Sequence, residues 1–520
     1  MLSIRTLVVA LASLGCAAVA AQPVPPPIVS ITTPASERVR AAEDVLDALD
    51  TRRMTSDPAY AAIVADSLQV LLATPGDDTE ARWARQRFLP FALASAGRHD
   101  EAEAAADMVV RMRPSEAESY APGFFAARRA ERYARLAALV ERAAQAVDRP
   151  AERASLIADL TTDRVGWDLR ELDTSGGDAA SAQYAGSLLR IGWPGPDGSP
   201  FDADPLRLIV IDRHLERGDV AAAGTVASDV RGLEVVLRLV TARRYDAVHP
   251  QVDRIARVRA AIAEEDRVSA ARLAAAPEDV ERLVDRVVFL RAVGRDRDVL
   301  ALLMPMMAEV RLVVDRHEQG LWLINEAAYS LIATGEIREG LELIRPLAEM
   351  DLDANRRLVS PIINYVSLLA GLGRSEDALR EAERIGDTPH ASDYGKMWVW
   401  SAAACSATQL GRRAEAARWI ARMETKAESN RAAMLQMQLC RGDLAAAERV
   451  LLAALADEDD RDQAILWLQD YESLPVELPA TSQLLHERFD RLRARPAVQA
   501  AFQALGHSLR LPFPGTRYGF

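Results

Sequence analysis

Apolar residues recur at intervals of three and four along most of this 520-residue chain. That period places them on one face of an α-helix. No stretch alternates β-branched and polar residues for long enough to predict a sheet. The clearest register starts at a glycine. In "SAGRHDEAEAAADMVVRMRPSE" (Ser95–Glu116), Gly97 is followed five, nine and twelve residues later by Ala102, Ala106 and Val109. The same pattern returns from Gly218, Gly294, Gly335, Gly373, Gly411 and Gly442. Five residues on stand Ala223, Val299, Gly340, Ala378, Ala416 and Ala447, all small or modest in size. Nine and twelve on, the positions are again apolar, as with Ile344 and Leu347 after Gly335. Each glycine therefore precedes an amphipathic helix.

A second helix lies upstream of each glycine. Leu290 and Val287, Leu331 and Ala328, and Leu369 and Val366 stand four and seven residues before their glycines. The glycine is then the turn of a helix hairpin, where a left-handed backbone carries no steric cost. Pro114 and Pro277 close one hairpin and open the next. This glycine, the small residue five later and the terminal proline resemble the tetratricopeptide repeat, a helix–turn–helix unit of about 34 residues. The resemblance covers most of residues 80–455 and is best between Pro277 and Ala454. It implies an all-α fold, a right-handed helical-repeat solenoid. Glycine spacings of 41, 38, 38 and 31 residues from Gly294 to Gly442 depart from the family's norm, and so does Pro90 inside the first helix of the opening unit. In tetratricopeptide proteins the first helix of each pair lines a concave groove that holds partner segments. Carried over by position, that groove implies Trp322, Asn325 and Tyr329 in one unit, and Trp398, Ser401 and Cys405 two units on. Tryptophan, tyrosine and asparagine are residue types that anchor interfaces.

The same patterns divide the chain. Residues 1–21 read as a secretory signal and 22–36, "QPVPPPIVSITTPAS", as a proline-rich linker. Residues 37–204 form an N-terminal helical region with one repeat-like unit. Its register is lost between Arg113 and Pro205, and it ends in a long loop, Ile191–Pro205. Residues 205–455 form the repeat array, in which "ARRYDAVHP" (Ala242–Pro250) is expected to be one more turn that has lost its glycine. Residues 456–510 are expected to be a helical cap, with one helix near Thr481–Leu509 covering the open end of the stack. Residues 511–520 are a tail.

Composition adds a compartment. The segment "MLSIRTLVVALASLGCAAVAA" has a basic start, an apolar run and a small-residue end. Cleavage is expected after Val19-Ala20-Ala21, before Gln22, and delivery to a bacterial periplasm. "SLGC" ending at Cys16 approaches a lipoprotein site, but its leucine is one place out, so a lipid anchor is the lesser reading. The formal charge of −13 opposes general nucleic-acid binding. Cys405 and Cys440 are left after cleavage. An oxidising compartment permits a bond between them, while two small buried apolar residues is the favoured expectation.

A search for chemistry returns little. The sequence has no H-E-x-x-H, G-x-S-x-G, P-loop or G-x-G-x-x-G. Its seven histidines show no metal-ligand spacing, and "ADEDDRD" (Ala456–Asp462) and the Asp197/Asp202/Asp204 loop lack an EF-hand ladder. No metal and no cofactor are expected. Met304, Met306 and Met307 read as repeat core. Arg128, Arg132, Arg135 and Arg142 share one face of a helix that also carries Phe124, Phe125, Leu136 and Leu139, a pattern that can meet an anionic polymer or a membrane surface. The leading expectation is a non-catalytic periplasmic scaffold holding a protein or peptide partner. The alternative is an envelope- or polysaccharide-associated accessory using the Arg128 helix or the Trp193 loop. An enzyme with an unrecognised site in residues 115–205 is the least favoured.

Overall fold

The computed structural model describes residues 34–514 except 76–77, 161, 176, 196–198, 250–252, 310–312, 315–318, 474–475 and 478. The signal segment, Cys16, Asp197, residues 515–520 and nearly all of the proline-rich linker lie outside the described residues. The fold is all-α. The chain divides into two compact units at Val230/Arg231, some way beyond the 204/205 division drawn from sequence.

Unit 1 comprises α1 (Ala35–Asp47), α2 (Thr51–Ser56), α3 (Pro58–Ala73), α4 (Thr79–Ser95), α5 (His99–Met112), α6 (Ala121–Arg129), α7 (Tyr133–Ala146), α8 (Pro150–Asp159), α9 (Thr162–Ser175), α10 (Asp178–Ile191), α11 (Asp204–Glu216) and α12 (Val220–Ser228). Helix α4 runs unbroken through Pro90, the residue that departs from the family's norm. Helices α6 and α7 form a hairpin inside the stretch where the sequence register is lost. Its turn residue is Glu131, in left-handed backbone at φ 56°. The closing bond, Arg132 N–H to Ala127 O at 2.9 Å, copies that of Gly97, where Arg98 N–H reaches Leu93 O at 2.9 Å. One core gathers Tyr120, Phe124, Leu136, Val140, Leu156, Tyr184 and Trp193. Trp193 is thus a core residue, its indole N–H donating to Leu160 O at 2.9 Å.

Unit 2 comprises α13 (Leu233–Thr241), α14 (Arg254–Ala275), α15 (Val280–Ala292), α16 (Asp296–Leu303), α17 (Gly320–Ala333), α18 (Ile337–Ala348), α19 (Val359–Gly371), α20 (Ser375–Ile385), α21 (Asp393–Gln409), α22 (Arg413–Glu424), α23 (Arg431–Arg441), α24 (Leu444–Ala456), α25 (Glu458–Trp467), α26 (Ala480–Arg493) and α27 (Pro496–Leu505). From α15 to α24 these are successive hairpins. All seven turn glycines of the chain have positive φ, from 73° at Gly218 and Gly411 to 97° at Gly335. The positions five residues on are buried in every case, because there the second helix crosses the first. At Gly340 a Cβ would stand 2.7 Å from the Ala328 carbonyl, so the backbones touch and only glycine fits.

Several expectations fail in unit 2. "ARRYDAVHP" is not a hairpin turn but a 3₁₀ segment, Arg243–Val248, between α13 and α14. Met304 is exposed and only Met307 of the three methionines is buried, since Pro305 helps convert the end of α16 to a 3₁₀ segment. The single C-terminal helix is two, broken before Pro496. A short parallel pair of strands, β1 (Asp470–Glu472) with β2 (Arg510–Pro514), interrupts the helical pattern. Moreover, the C-terminal segment does not cover the end of the stack alone. It runs along the turns: Val476 beside Gly335, Thr481 beside Gly373, Arg488 beside Gly442 and Pro514 on Gly294. Ser482 donates to Gly371 O at 2.9 Å, and Arg488 to Leu439 O and Cys440 O at 2.7 and 2.6 Å. These are carbonyls at helix C-termini, which need partners and favour a cation. Among the described residues no helix is long and apolar enough to cross a membrane.

Candidate functional site

The first helices of the hairpins are covered on most sides, because each lies between its own partner and the next hairpin. In α17 Leu321, Leu323, Ile324, Asn325, Glu326, Ala327, Ala328, Leu331 and Ile332 are all buried. Tyr329 is half-buried, and Trp322 stands furthest out: 40% of it remains open to solvent. Two hairpins on, in α21, Trp398 is half-buried and stands edge-on to Tyr394, ring centres 6.5 Å apart, with Tyr394 itself 56% exposed. Large apolar side chains left open amid buried neighbours are the feature of this face that packing does not explain.

Beside Trp322 runs a polar ladder across three first helices. Arg291 of α15 pairs with buried Glu326 of α17. Asn325 donates to Glu326 Oε1 at 2.9 Å and accepts from Asn364 of α19 at 2.9 Å. The Arg291 guanidinium also lies over the Tyr329 ring, 4.8 Å from its centre. Burial pushes the Tyr329 hydroxyl up to about 12, so it stays a neutral phenol. Asn325 is 2% exposed and spends its carboxamide on neighbouring side chains. It therefore registers the helices against one another rather than facing a partner. Ser401 departs further from expectation. It is fully buried and donates to Ala433 O at 3.1 Å, tying α21 to α23. Small size at a helix crossing, not contact with a ligand, accounts for it.

Cys405 and Cys440 are joined as a disulfide, their Cα atoms 5.3 Å apart. This replaces the expectation of two free buried thiols: α21 and α23 pack closely enough, through small residues, to bring the sulfurs into bonding reach.

The proposed anionic-surface helix does not exist as one helix. Arg128 ends α6, whereas Arg132, Arg135 and Arg142 belong to the start and body of α7. Each is already paired. Arg132 meets Asp100 and Glu103 of α5 at 2.7 and 3.0 Å, Arg135 meets Asp107 at 2.6 Å, and Arg142 approaches the same carboxylate at 3.9 Å. The acidic face of α5 thus neutralises the basic face of α7. Arg128 turns inward, to a bidentate pair with fully buried Asp168, Nε to Oδ1 at 2.9 Å and Nη2 to Oδ2 at 2.7 Å, and Asp168 also accepts from the Tyr184 hydroxyl at 2.7 Å. Close by, burial pushes the Asp159 carboxyl up to about 6 although Arg164, Arg128 and Arg87 pull it down.

Sequence reasoning missed Tyr394, Arg291, Glu326 and Asn364. Tyr394 was findable, since it lies four residues before Trp398 and so on the same helix face. The ladder was not, because its members come from hairpins that sequence offsets do not align. Among the described residues no group of histidine, cysteine, aspartate or glutamate could hold a metal ion. His507, His390 and His249 bond to Asp246, Asp353 and Arg257 respectively.

No known family matches the chain by its sequence pattern, and no curated protein matches it. Among solved structures it is similar to one described as the structure of Naa15/Naa10 bound to HypK-THB. The identity is 13%, the match covers 91% of this chain and 77% of that chain, and the TM-score is 0.27.

Proposed function

We propose that the protein is an exported, non-catalytic scaffold of tetratricopeptide type that holds a protein or peptide partner on the first-helix face of unit 2. The exposure of Trp322 carries the reading. A tryptophan is a costly side chain to leave in water, and it occupies the position that the repeat resemblance assigns to the groove. Trp398 with Tyr394 supplies a second aromatic patch at the equivalent place. The disulfide supports an oxidising compartment, in keeping with a periplasmic protein whose signal segment is cleaved before Gln22. Arg128 and Trp193 turn inward and Arg132, Arg135 and Arg142 are paired with α5 carboxylates, which favours this reading over contact with an anionic polymer or membrane.

Site-directed photo-cross-linking tests the reading. A photoreactive amino acid in place of Trp322 should give a discrete adduct from an envelope extract. The same group in place of Glu342, exposed on the second helix of that hairpin, should not. Equal labelling from both positions, or none from 322, counts against a first-helix docking face.

A further inference from the structure

The end of unit 2 returns to its beginning. His507 N–H donates to Thr241 O at 2.8 Å, and Arg243 Nε donates to Gln503 O at 2.7 Å and Gly506 O at 3.1 Å. The His507 ring meets Asp246 at 2.6 Å and Arg254 at 3.1 Å. Beyond it the chain is extended, and its side chains alternate. Leu511 is fully buried and Phe513 nearly so, while their neighbours face out or are half-buried. Phe513 stands edge-on to Tyr471, ring centres 5.9 Å apart. Asp470 N–H donates to Leu509 O at 3.0 Å, and β2 pairs in parallel with β1. Pro514 lies on the Gly294 turn, where a Cβ would fall 2.2 Å from its ring. Main-chain bonds for hold and alternate pockets for selection are how folds accept an extended peptide as an added strand.

The walls of this groove are held by contacts that do not involve the segment. Asp246 pairs with Arg254 at 2.7 Å. Glu265 of α14 accepts from Leu233 N–H at 2.9 Å, and Arg286 of α15 donates to Ser269 of α14 at 3.0 Å. The Gly294 turn is closed by its own bond from Arg295 N–H to Leu290 O at 2.8 Å. Tyr471 is anchored by its hydroxyl to Leu466 O at 2.8 Å. None of these contacts is lost when the segment leaves.

We infer that unit 2 contains a strand-accepting peptide groove, and that residues 507–514 of this chain are its resident ligand, replaceable by the same segment of a second copy. The groove selects an extended peptide with a histidine at one end and, four and six residues on, two apolar side chains. The aspartate–arginine pair reads the histidine, and the pockets beside Tyr471 and α14 take the apolar groups.

The test uses a labelled synthetic peptide, HSLRLPFP (residues 507–514), with three proteins: the intact chain, the chain ended after Gly506, and the full-length L511D/F513D variant. Fluorescence anisotropy should show saturable binding to the shortened and doubly substituted chains and none to the intact one. A peptide carrying both aspartates should bind at least about tenfold more weakly. Absence of binding to either altered chain while its helical circular dichroism is intact overturns the proposal, as does equal binding to all three. Loss of helicity in the shortened chain leaves the substituted variant to decide. Loss in both shows the segment to be an inseparable part of the core, which also overturns it.

Discussion

Arg128 and Arg132 are four residues apart and face opposite demands. Arg128 serves a carboxylate with no access to solvent, whereas Arg132 is itself 44% exposed and its nearer partner, Asp100, stands 87% exposed. Breaking a buried pair strands a charge, so Arg128→Ala should destabilise by about 3–5 kcal/mol. Arg132→Ala should cost under about 1 kcal/mol. Urea denaturation of the two variants measures both. Asp159 sets a pH dependence of the opposite sense to most carboxylates. Its native value, about 6, lies above the ordinary 3.8, so the native state holds this proton more tightly than the unfolded chain. Its stabilising contribution is complete below about pH 4 and is lost as pH rises through about 6. Asp159→Asn should therefore be more stable than the parent at pH 7.5, with the difference gone at pH 4, as followed by thermal melts at the two values.

At the scale of helices and turns, the seven glycines were legible because left-handed backbone so strongly selects that residue. The Glu131 turn was not legible, since its geometry is the same but the selecting residue is absent. Relieving it should help: Glu131→Gly is expected to stabilise by about 0.5–1 kcal/mol, the left-handed penalty less the added entropy of an unfolded glycine. Gly411→Ala, where a Cβ meets nothing within 4 Å, should cost about 1–2 kcal/mol. Gly294→Ala should cost more, because Pro514 occupies the space. Chemical denaturation of the three variants ranks them. The disulfide adds a long-range constraint across 35 residues, and Cys440→Ser should lower stability by roughly 3–4 kcal/mol under non-reducing conditions. Equal stability of parent and variant there would mean the bond does not form. Much of the rest was hidden because it depends on partners far along the chain. The arginines of α7 read as a free basic face until α5 is placed against them. Ser401 reads as a polar groove residue until Ala433 O is placed above it. The break at Pro496 and the 3₁₀ turn at Pro305 were misreadings with a plain local signal.

At the scale of the whole chain, unit 2 carries the functional claim. Its hairpins present buried first helices, a polar ladder that fixes their register and two exposed aromatic patches, while its C-terminal segment secures the turns. The central claim is that Trp322 and Trp398 serve a partner and not the fold. Leu331, on the same helix as Trp322, is almost fully buried and provides the contrast. The direct measurement is the pair of values, unfolding free energy and affinity for the cross-linked partner, for Trp322→Ala/Trp398→Ala and for Leu331→Ala. The account predicts that the tryptophan variant loses about 2 kcal/mol or more of binding energy with its melting temperature nearly unchanged. Leu331→Ala should instead lose roughly 2–5 kcal/mol of stability. A tryptophan variant that unfolds as readily as Leu331→Ala, or that binds as tightly as the parent, would contradict it.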